Sequence, residues 1–356
     1  MIKMVNSTGS NPVIDTNATA SAFGWDFQSN AAILLALKNI KDLERLKVEG
    51  DIDDIELYLK DNKKIFIQAK SQEDPTPGTN TLTKLKDALK TLINATNQSE
   101  YEQIIYISNI INPLKNKQLD YFWGNYYIIY SYDELNDQAK NIINKYINAA
   151  VQDYQLDISN LEYDKLKICT FPFFGRNDET RYRIIYEAVN TFLVKAEISA
   201  PDGVAHDVMN YWQSKFFQNA ATRHVELKKE ELIWPIVVLE SSKPPSYENF
   251  FDEYDIGAMK EINRKYRAFI DKKTEQFEFV TQVMNDFKNY TNEYRKSPGK
   301  QVFEQFVETK WPSYASLIIN GPIDSEIKEG VTKLVIIKIL KNRFTINTVK
   351  EAAGLL

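Results

Sequence analysis

Cysteine is almost absent from this chain of 356 residues, where Cys169 stands alone. A single thiol excludes an intramolecular disulfide and any cysteine-based zinc cluster. Histidine is nearly as scarce. His206 and His224 lie far apart and lack metal-ligand spacing, which argues against a zinc hydrolase or a histidine-based phosphodiesterase and leaves both as structural or surface residues. No apolar run reaches the roughly 18–20 residues needed to span a bilayer. The polar stretch 1–20 lacks the apolar core of a signal peptide. These absences predict a cytoplasmic protein with no membrane attachment. The chain also lacks a G-x-x-x-x-G-K-[ST] phosphate loop, a G-x-G-x-x-G turn and any internal repeat, so it carries no recognisable nucleotide motor of its own.

What is present describes a globular protein. Hydrophobic residues make up 43% and charged residues 26%, the proportions of a chain that buries a core. A net charge of −5 argues against a protein that coats nucleic acid. The length accommodates two domains. A polar segment, 1–19, precedes a first domain over 20–199. A boundary is expected at Ser199-Ala200-Pro201-Asp202-Gly203. From there to 356 the sequence reads as mainly helical, with long amphipathic runs at Ala258–Lys272 and Glu275–Tyr294. Trp212 and Trp234 read as core anchors in that region. It is expected to dock on a partner protein or on a second copy of the chain, or else to act as a helical tail that stabilises the first domain.

In the first domain, Phe23-Gly24-Trp25-Asp26-Phe27-Gln28 opens an amphipathic run through Ala31–Leu37 that predicts a helix. Two period-two segments follow, Ile55-Glu56-Leu57-Tyr58-Leu59 and Ile65-Phe66-Ile67-Gln68-Ala69-Lys70, joined by Lys60-Asp61-Asn62-Lys63. Ser71–Asn80 is a loop marked by Pro75, Pro77 and Gly78. Thr81 is expected to cap a helix over Leu82, Leu85, Leu89 and Leu92. Further strands are expected at Gln103–Ser108, Tyr126–Tyr130 and Lys165–Phe174, with a helix over Asp133–Ala149. Strand, helix, strand in this order predicts a parallel crossover and a mixed α/β core. Phe171-Pro172-Phe173-Phe174 reads as core.

The hairpin carries the chemistry. Closed near Asp61-Asn62, it sets residue 54 opposite 68 or 69. Ile55, Leu57, Leu59, Ile65, Ile67 and Ala69 then share the core side. Asp54, Gln68 and Lys70 are expected together on the other side, with Asp53 pointing away. Just upstream, Val48-Glu49-Gly50-Asp51-Ile52-Asp53-Asp54-Ile55 crowds four carboxylates into one turn, a repulsion that a divalent cation relieves. Mg²⁺ takes oxygen ligands. Asp54 offers a carboxylate, Gln68 a neutral carbonyl, and Lys70 positive charge for a phosphate or an attacking water. An exposed Q-x-K on an ordinary solvated strand face is the competing reading.

The order F-x-x-x-F-Q helix, E-x-x-x-D-D-I, hairpin and I-x-I-Q-A-K resembles the PD-(D/E)xK (restriction-endonuclease-like) superfamily, and within it the N-terminal double-stranded DNA endonuclease domain of bacterial antiphage effectors, those associated with cyclic-oligonucleotide signalling (CBASS) operons and with HerA-type translocases. The resemblance covers about residues 20–110, and more loosely extends to 195. It implies an α/β fold with a restriction-endonuclease-like mixed β-sheet flanked by helices, followed by a mainly helical C-terminal domain. It also implies Asp54 and Gln68 as metal ligands, Lys70 as the catalytic lysine, and Gln28, Glu49 and Asp53 in support. The expected cofactor is Mg²⁺, with Mn²⁺ as a substitute. Lys63, Lys64, Lys84 and Lys86 are candidate phosphate contacts; a plain lysine face in a lysine-rich chain is the alternative.

The function expected on these grounds is a metal-dependent DNA endonuclease, a hydrolase acting in antiviral defence on double-stranded DNA. A partner ATPase, a translocase or another protein of a defence operon is expected, and so is a homo-oligomer. The alternatives are a catalytically inactive nuclease-fold subunit that binds nucleic acid or a partner ATPase, and a purely structural subunit.

Overall fold

The computed structural model describes residues 19–76, 82–115, 126–175, 177–198, 203–222, 224–241, 256–262, 276–294, 298–319 and 323–355. Seven strands form one mixed sheet among these residues. They are β1 (Leu43–Val48), β2 (Ile55–Leu59), β3 (Lys64–Lys70), β4 (Gln103–Ser108), β5 (Ile128–Ser131), β6 (Leu166–Thr170) and β7 (Leu227–Lys228), arranged β5-β6-β4-β3-β2-β1-β7. β3, β4 and β6 run parallel to one another and every other pairing is antiparallel. The α/β class, the mixed sheet flanked by helices and the helical C-terminal region are as the sequence predicts.

The predicted hairpin forms between β2 and β3, with Ile55 opposite Ile67 and Leu57 opposite Ile65. Lys60–Asn62 closes it as a short 3-10 turn in which Asp61 and Asn62 take positive φ angles of 61° and 60°, a conformation that short polar side chains tolerate. Lys64–Lys70 then continues through α2 (Leu82–Thr96) to β4, which pairs in parallel with β3 from Ile65↔Gln103 to Lys70↔Ser108.

Period-two alternation splits the hairpin's side chains between two cores. Ile55, Leu57, Leu59, Ile65, Ile67 and Ala69 enter one cluster with Ile105, Ile107 and Cys169. Phe66, Ile104, Tyr106, Leu166 and Ile168 enter the other, covered by α2 and by α3 (Asp137–Tyr154). The larger core is covered by α1 (Thr19–Lys38), α4 (Asp178–Lys195) and α5 (Val204–Ala220). In α1 every residue from Ser29 to Ala36 is buried, as expected of a helix held between sheet and neighbouring helices.

Elements beyond residue 203 pack onto this framework. Asn219 Oδ1 accepts from the Val48 N–H (2.8 Å), and β7 adds to the edge of β1 through Arg45↔Lys228 and Leu46↔Leu227. α6 (Lys229–Ser241) and α7 (Ile256–Glu261) lead to α8 (Phe277–Glu293), α9 (Gly299–Ile318), α10 (Ser325–Lys341) and α11 (Arg343–Ala352). Trp212 and Trp234 are buried, as expected of anchors; the Trp212 indole N–H donates to Leu232 O (2.7 Å). Residues 330–340 of α10 are buried on every side.

Some boundaries differ for local reasons. The Asp133 helix begins at Asp137, because Asn136 caps it by accepting from Ala139 N–H (2.9 Å) while Tyr132–Glu134 forms a separate 3-10 turn. β6 stops at Thr170, and Phe171 and Phe173 are fully buried. The Thr81 cap, Pro77, Gly78, residues 199–202 and most of Ala258–Lys272 lie outside the described residues. No helix among the described residues is long and apolar enough to cross a membrane.

Candidate functional site

The acidic turn between β1 and β2 stands beside the C-terminal end of β3, and its shape comes from backbone bonds. Glu49 N–H donates to Asp54 O (2.7 Å) and Gly50 N–H to Asp53 O (2.9 Å), with Glu49 at a positive φ of 54°. Glu56, buried on β2, sits beneath the turn. It accepts from Ile52 N–H (2.6 Å), Asp53 N–H (3.3 Å) and the Tyr58 hydroxyl (2.6 Å). A Cβ at Gly50 would collide with this pinned carboxylate, so the position needs glycine.

The turn breaks the strand alternation at Ile55, so Asp53 and Asp54 serve two different neighbours. Asp54 Oδ2 accepts from Ala69 N–H (3.0 Å) and from Lys70 Nζ (3.2 Å). Asp53, expected to point away, instead receives the Gln68 amide on Oδ1. Its Oδ2 is buried with no hydrogen-bond partner among the described residues. Burial raises the Asp53 pKa to about 7; the Gln68 hydrogen bond opposes the rise, and the Asp54 charge adds to it. Burial also lifts Glu49 above the usual carboxylate range. Asp54 pushes it further, while a hydrogen bond from Gln28 on α1 and the Lys70 charge pull it back. Gln28, Glu49, Asp53, Asp54, Gln68 and Lys70 therefore all gather at one end of β3.

The four candidate phosphate lysines separate. Lys84 joins this end: its ammonium donates to Ser71 O and Gln72 Oε1, and burial together with the nearby Lys70 charge lowers its pKa. Lys86 pairs with Asp153. Lys63 binds Glu102 (2.8 Å), and Lys64 lies 5.4 Å from the centre of the Tyr58 ring, both at the hairpin end. Six residues of strand, roughly 20 Å, separate Lys64 from Lys70.

Two residues not singled out in the sequence help to build this end. Glu56 shapes the acidic turn, and a carboxylate in the middle of an apolar hairpin strand was the available signal. Asn109, just past β4, ties the loop after β3 in place. Its side chain accepts from Gln72 N–H (2.8 Å) and donates to Gln72 O (2.7 Å) and Phe173 O (2.8 Å). A polar side chain just beyond the end of a central parallel strand marks such positions.

Among the described residues, no group of three His, Cys, Asp or Glu side chains is arranged to hold a metal ion. Mg²⁺ needs only one or two protein carboxylates, the remaining positions going to waters and ligand phosphate. Asp54 beside Glu49 fits that smaller requirement.

No family model and no curated protein matches the chain. Among solved structures, the Acinetobacter baumannii Cap4 SAVED/CARF-domain containing receptor with the cyclic trinucleotide 2′3′3′-cAAA is similar at 14% identity, over 61% of this chain and 46% of that one, with a TM-score of 0.36. The Moraxella osloensis Cap4 SAVED/CARF-domain containing receptor is similar at 12% identity, over 74% and 60%, with a TM-score of 0.38. The chain thus spans between about half and three fifths of these receptors. Likeness at this level carries no argument about what this chain binds.

These findings correct the expected identification. The solved structures that answer to this chain are described as receptors, two of them with cyclic trinucleotides, and not as PD-(D/E)xK nuclease domains. The endonuclease resemblance, the DNA-endonuclease function, its nuclease-fold alternative and the double-stranded DNA partner are withdrawn. The physical reason lies in the motif. A short Q-x-K after an acidic turn reports local geometry, and the same geometry arises on unrelated chains. Here Gln68 is joined to Asp53, so the three-residue constellation of Asp54, Gln68 and Lys70 is divided between two carboxylates.

Proposed function

We propose that the C-terminal end of β3 is a binding site for a phosphodiester ligand, bridged to the protein by a divalent cation. The observation that carries this reading is the crowding of like charges of both signs at one partly buried place, where a single ion pair joins them. The Asp54 charge raises the cost of ionising both Glu49 and Asp53. The Lys70 charge likewise lowers the Lys84 pKa. One Asp54–Lys70 contact of 3.2 Å joins the two groups. A cation beside Asp54 and Glu49 relieves the first repulsion, and a phosphate beside Lys70 and Lys84 relieves the second. Mg²⁺ or Mn²⁺ is the expected ion, because the donors are hard oxygens and such ions share their coordination with phosphate. When bound, the ion supplies positive charge for the phosphate. Asp54 orients Lys70, Gln28 holds Glu49, and Glu56 keeps the acidic turn in register.

Titration calorimetry tests this with Mn²⁺ alone, then with a cyclic trinucleotide and its linear counterpart in Mn²⁺. Asp54→Ala should weaken Mn²⁺ binding by roughly tenfold or more, the equivalent of about 1.4 kcal/mol. Lys70→Ala should spare Mn²⁺ binding and weaken the trinucleotides. Mn²⁺ binding that ignores Asp54→Ala, or trinucleotide binding that ignores both Mn²⁺ and Lys70, would overturn the reading. The same samples resolved on a gel report whether the ligand leaves intact.

A further inference from the structure

A second cationic site lies among the C-terminal helices, independent of the end of β3. Lys350 on α11 is only 8% exposed. Three other buried lysines are matched by oxygen. Lys47 meets Asp51 (2.9 Å), Lys229 donates to Lys41 O (3.1 Å) and Ala353 O (2.9 Å), and Lys333 meets Glu308 and Glu329, each at 2.6 Å. Lys350 has no carboxylate or carbonyl partner among the described residues. Its ammonium lies 5.2 Å from the centre of the Phe277 ring, and burial lowers its pKa. A lysine so largely buried, with no carboxylate or carbonyl beside its ammonium, favours an anion there.

Lys350 lines a cavity of about 520 Å³ between α8 and α11, floored by Leu340 of α10, within the size range of small-molecule sites. Helical periodicity explains the lining. Arg343, Asn347 and Lys350 fall on one stripe of α11, and Met284, Lys288 and Thr291 on one stripe of α8. Three cations thus face the cavity, against a single carboxylate, Glu351. The Arg343 guanidinium spends one donor on Leu340 O (2.7 Å) and rests 5.8 Å from the Phe287 ring centre, leaving further N–H groups for a ligand.

We propose that this cavity binds a small phosphorylated molecule, its phosphate held by Lys350 and Arg343 with Lys288 at the rim. Guanidinium and ammonium groups together suit phosphate. Asn347 and Thr291 supply hydrogen bonds, and Met284, Phe287 and Leu340 supply an apolar floor for the remainder of the ligand.

The test is titration of the full chain with inorganic pyrophosphate and with adenosine triphosphate. It is run in an Asp54→Ala/Lys70→Ala background so that the strand-end site does not contribute. Lys350→Met and Arg343→Gln should each weaken binding by roughly tenfold or more. Arg343 is exposed, so its variant keeps the test open if Lys350→Met folds poorly. Tighter binding of the nucleotide than of pyrophosphate would support the apolar floor as a contact, and equal binding would support a phosphate-only site. Absence of binding by both probes, or binding indifferent to both substitutions, would overturn the proposal. So would a rise in thermal midpoint in Lys350→Met with pyrophosphate affinity unchanged, which marks a buried lysine with no ligand role.

Discussion

The two ends of β3 carry similar numbers of charges and treat them differently. At the hairpin end, Lys63 meets Glu102 and Arg45 meets Glu226 (2.7 Å), every partner being more than a third exposed. Water screens such pairs, and each is locally neutral. At the other end, Glu49, Asp53 and Asp54 crowd together beside Lys70 and Lys84, and burial moves the pKa values of Glu49, Asp53 and Lys84 away from their usual ranges. Charge density alone therefore does not mark a site. Charge that is partly buried and left unbalanced does.

Four substitutions test this contrast. Glu56→Ala is expected to be the most damaging, because it strands the Ile52 and Asp53 N–H groups and the Tyr58 hydroxyl in the interior. A loss of roughly 3–5 kcal/mol is expected, read by urea unfolding, together with loss of Mn²⁺ binding as the acidic turn loosens. A loss below about 1 kcal/mol would mean that the turn is held by its backbone bonds alone.

Asp53→Asn comes next and acts through pH. An unfolded aspartate titrates near 4, whereas folded Asp53 titrates at about 7. The folded state keeps a proton that the unfolded chain has released across that window. This group's contribution to stability is therefore fully present below about pH 4 and is lost as the pH rises through about 7. The asparagine variant should flatten that slope, an effect on the order of 2–4 kcal/mol between the ends of the window. Urea midpoints at about pH 5 and about pH 8 measure it, and equal slopes in wild type and variant would show that Asp53 ionises freely.

Lys70→Ala is expected to alter stability by less than about 1 kcal/mol, because the Asp54 pair is partly solvated, while it lowers trinucleotide affinity by roughly tenfold. A large stability loss would make Lys70 a structural cation. Smallest is Lys63→Ala, for which no change in unfolding midpoint or ligand affinity is expected. Any effect on ligand binding would extend the site along the strand and end the contrast between the two ends.

The parts of the fold legible in the sequence were those governed by repeating geometry. Alternation placed Ile55, Leu57, Leu59, Ile65, Ile67 and Ala69 in one core, where they lie. The polar Asp61-Asn62 marked the turn, and Gln103–Ser108 the parallel partner of β3. Alternation gave the wrong answer at Asp53, because it presumes a strand and the chain bends over 51–54. The bend is held by its own backbone bonds and by Glu56, whose carboxylate reaches back three and four residues to the Asp53 and Ile52 N–H groups, a set that no periodicity reveals. Family identity failed for a related reason. Three residue types at a given spacing constrain a few ångströms of backbone and say little about the rest of a chain.

Cys169 reports on the sheet from inside. It lies on β6, fully buried between its pairing partners β4 and β5, and burial holds its thiol far above the ordinary range. In the folded protein the thiolate is scarce and out of reach. Reaction with a thiol reagent must therefore wait for the strands around β6 to part. Because the chain has no other cysteine, the labelling rate is a single-site clock for opening of that half of the sheet. Cys169 lies in register with Ile107 and, through it, with Ala69 beside Asp54, so the same clock, run with and without Mn²⁺, reports whether filling the acidic end steadies the neighbouring strands as well.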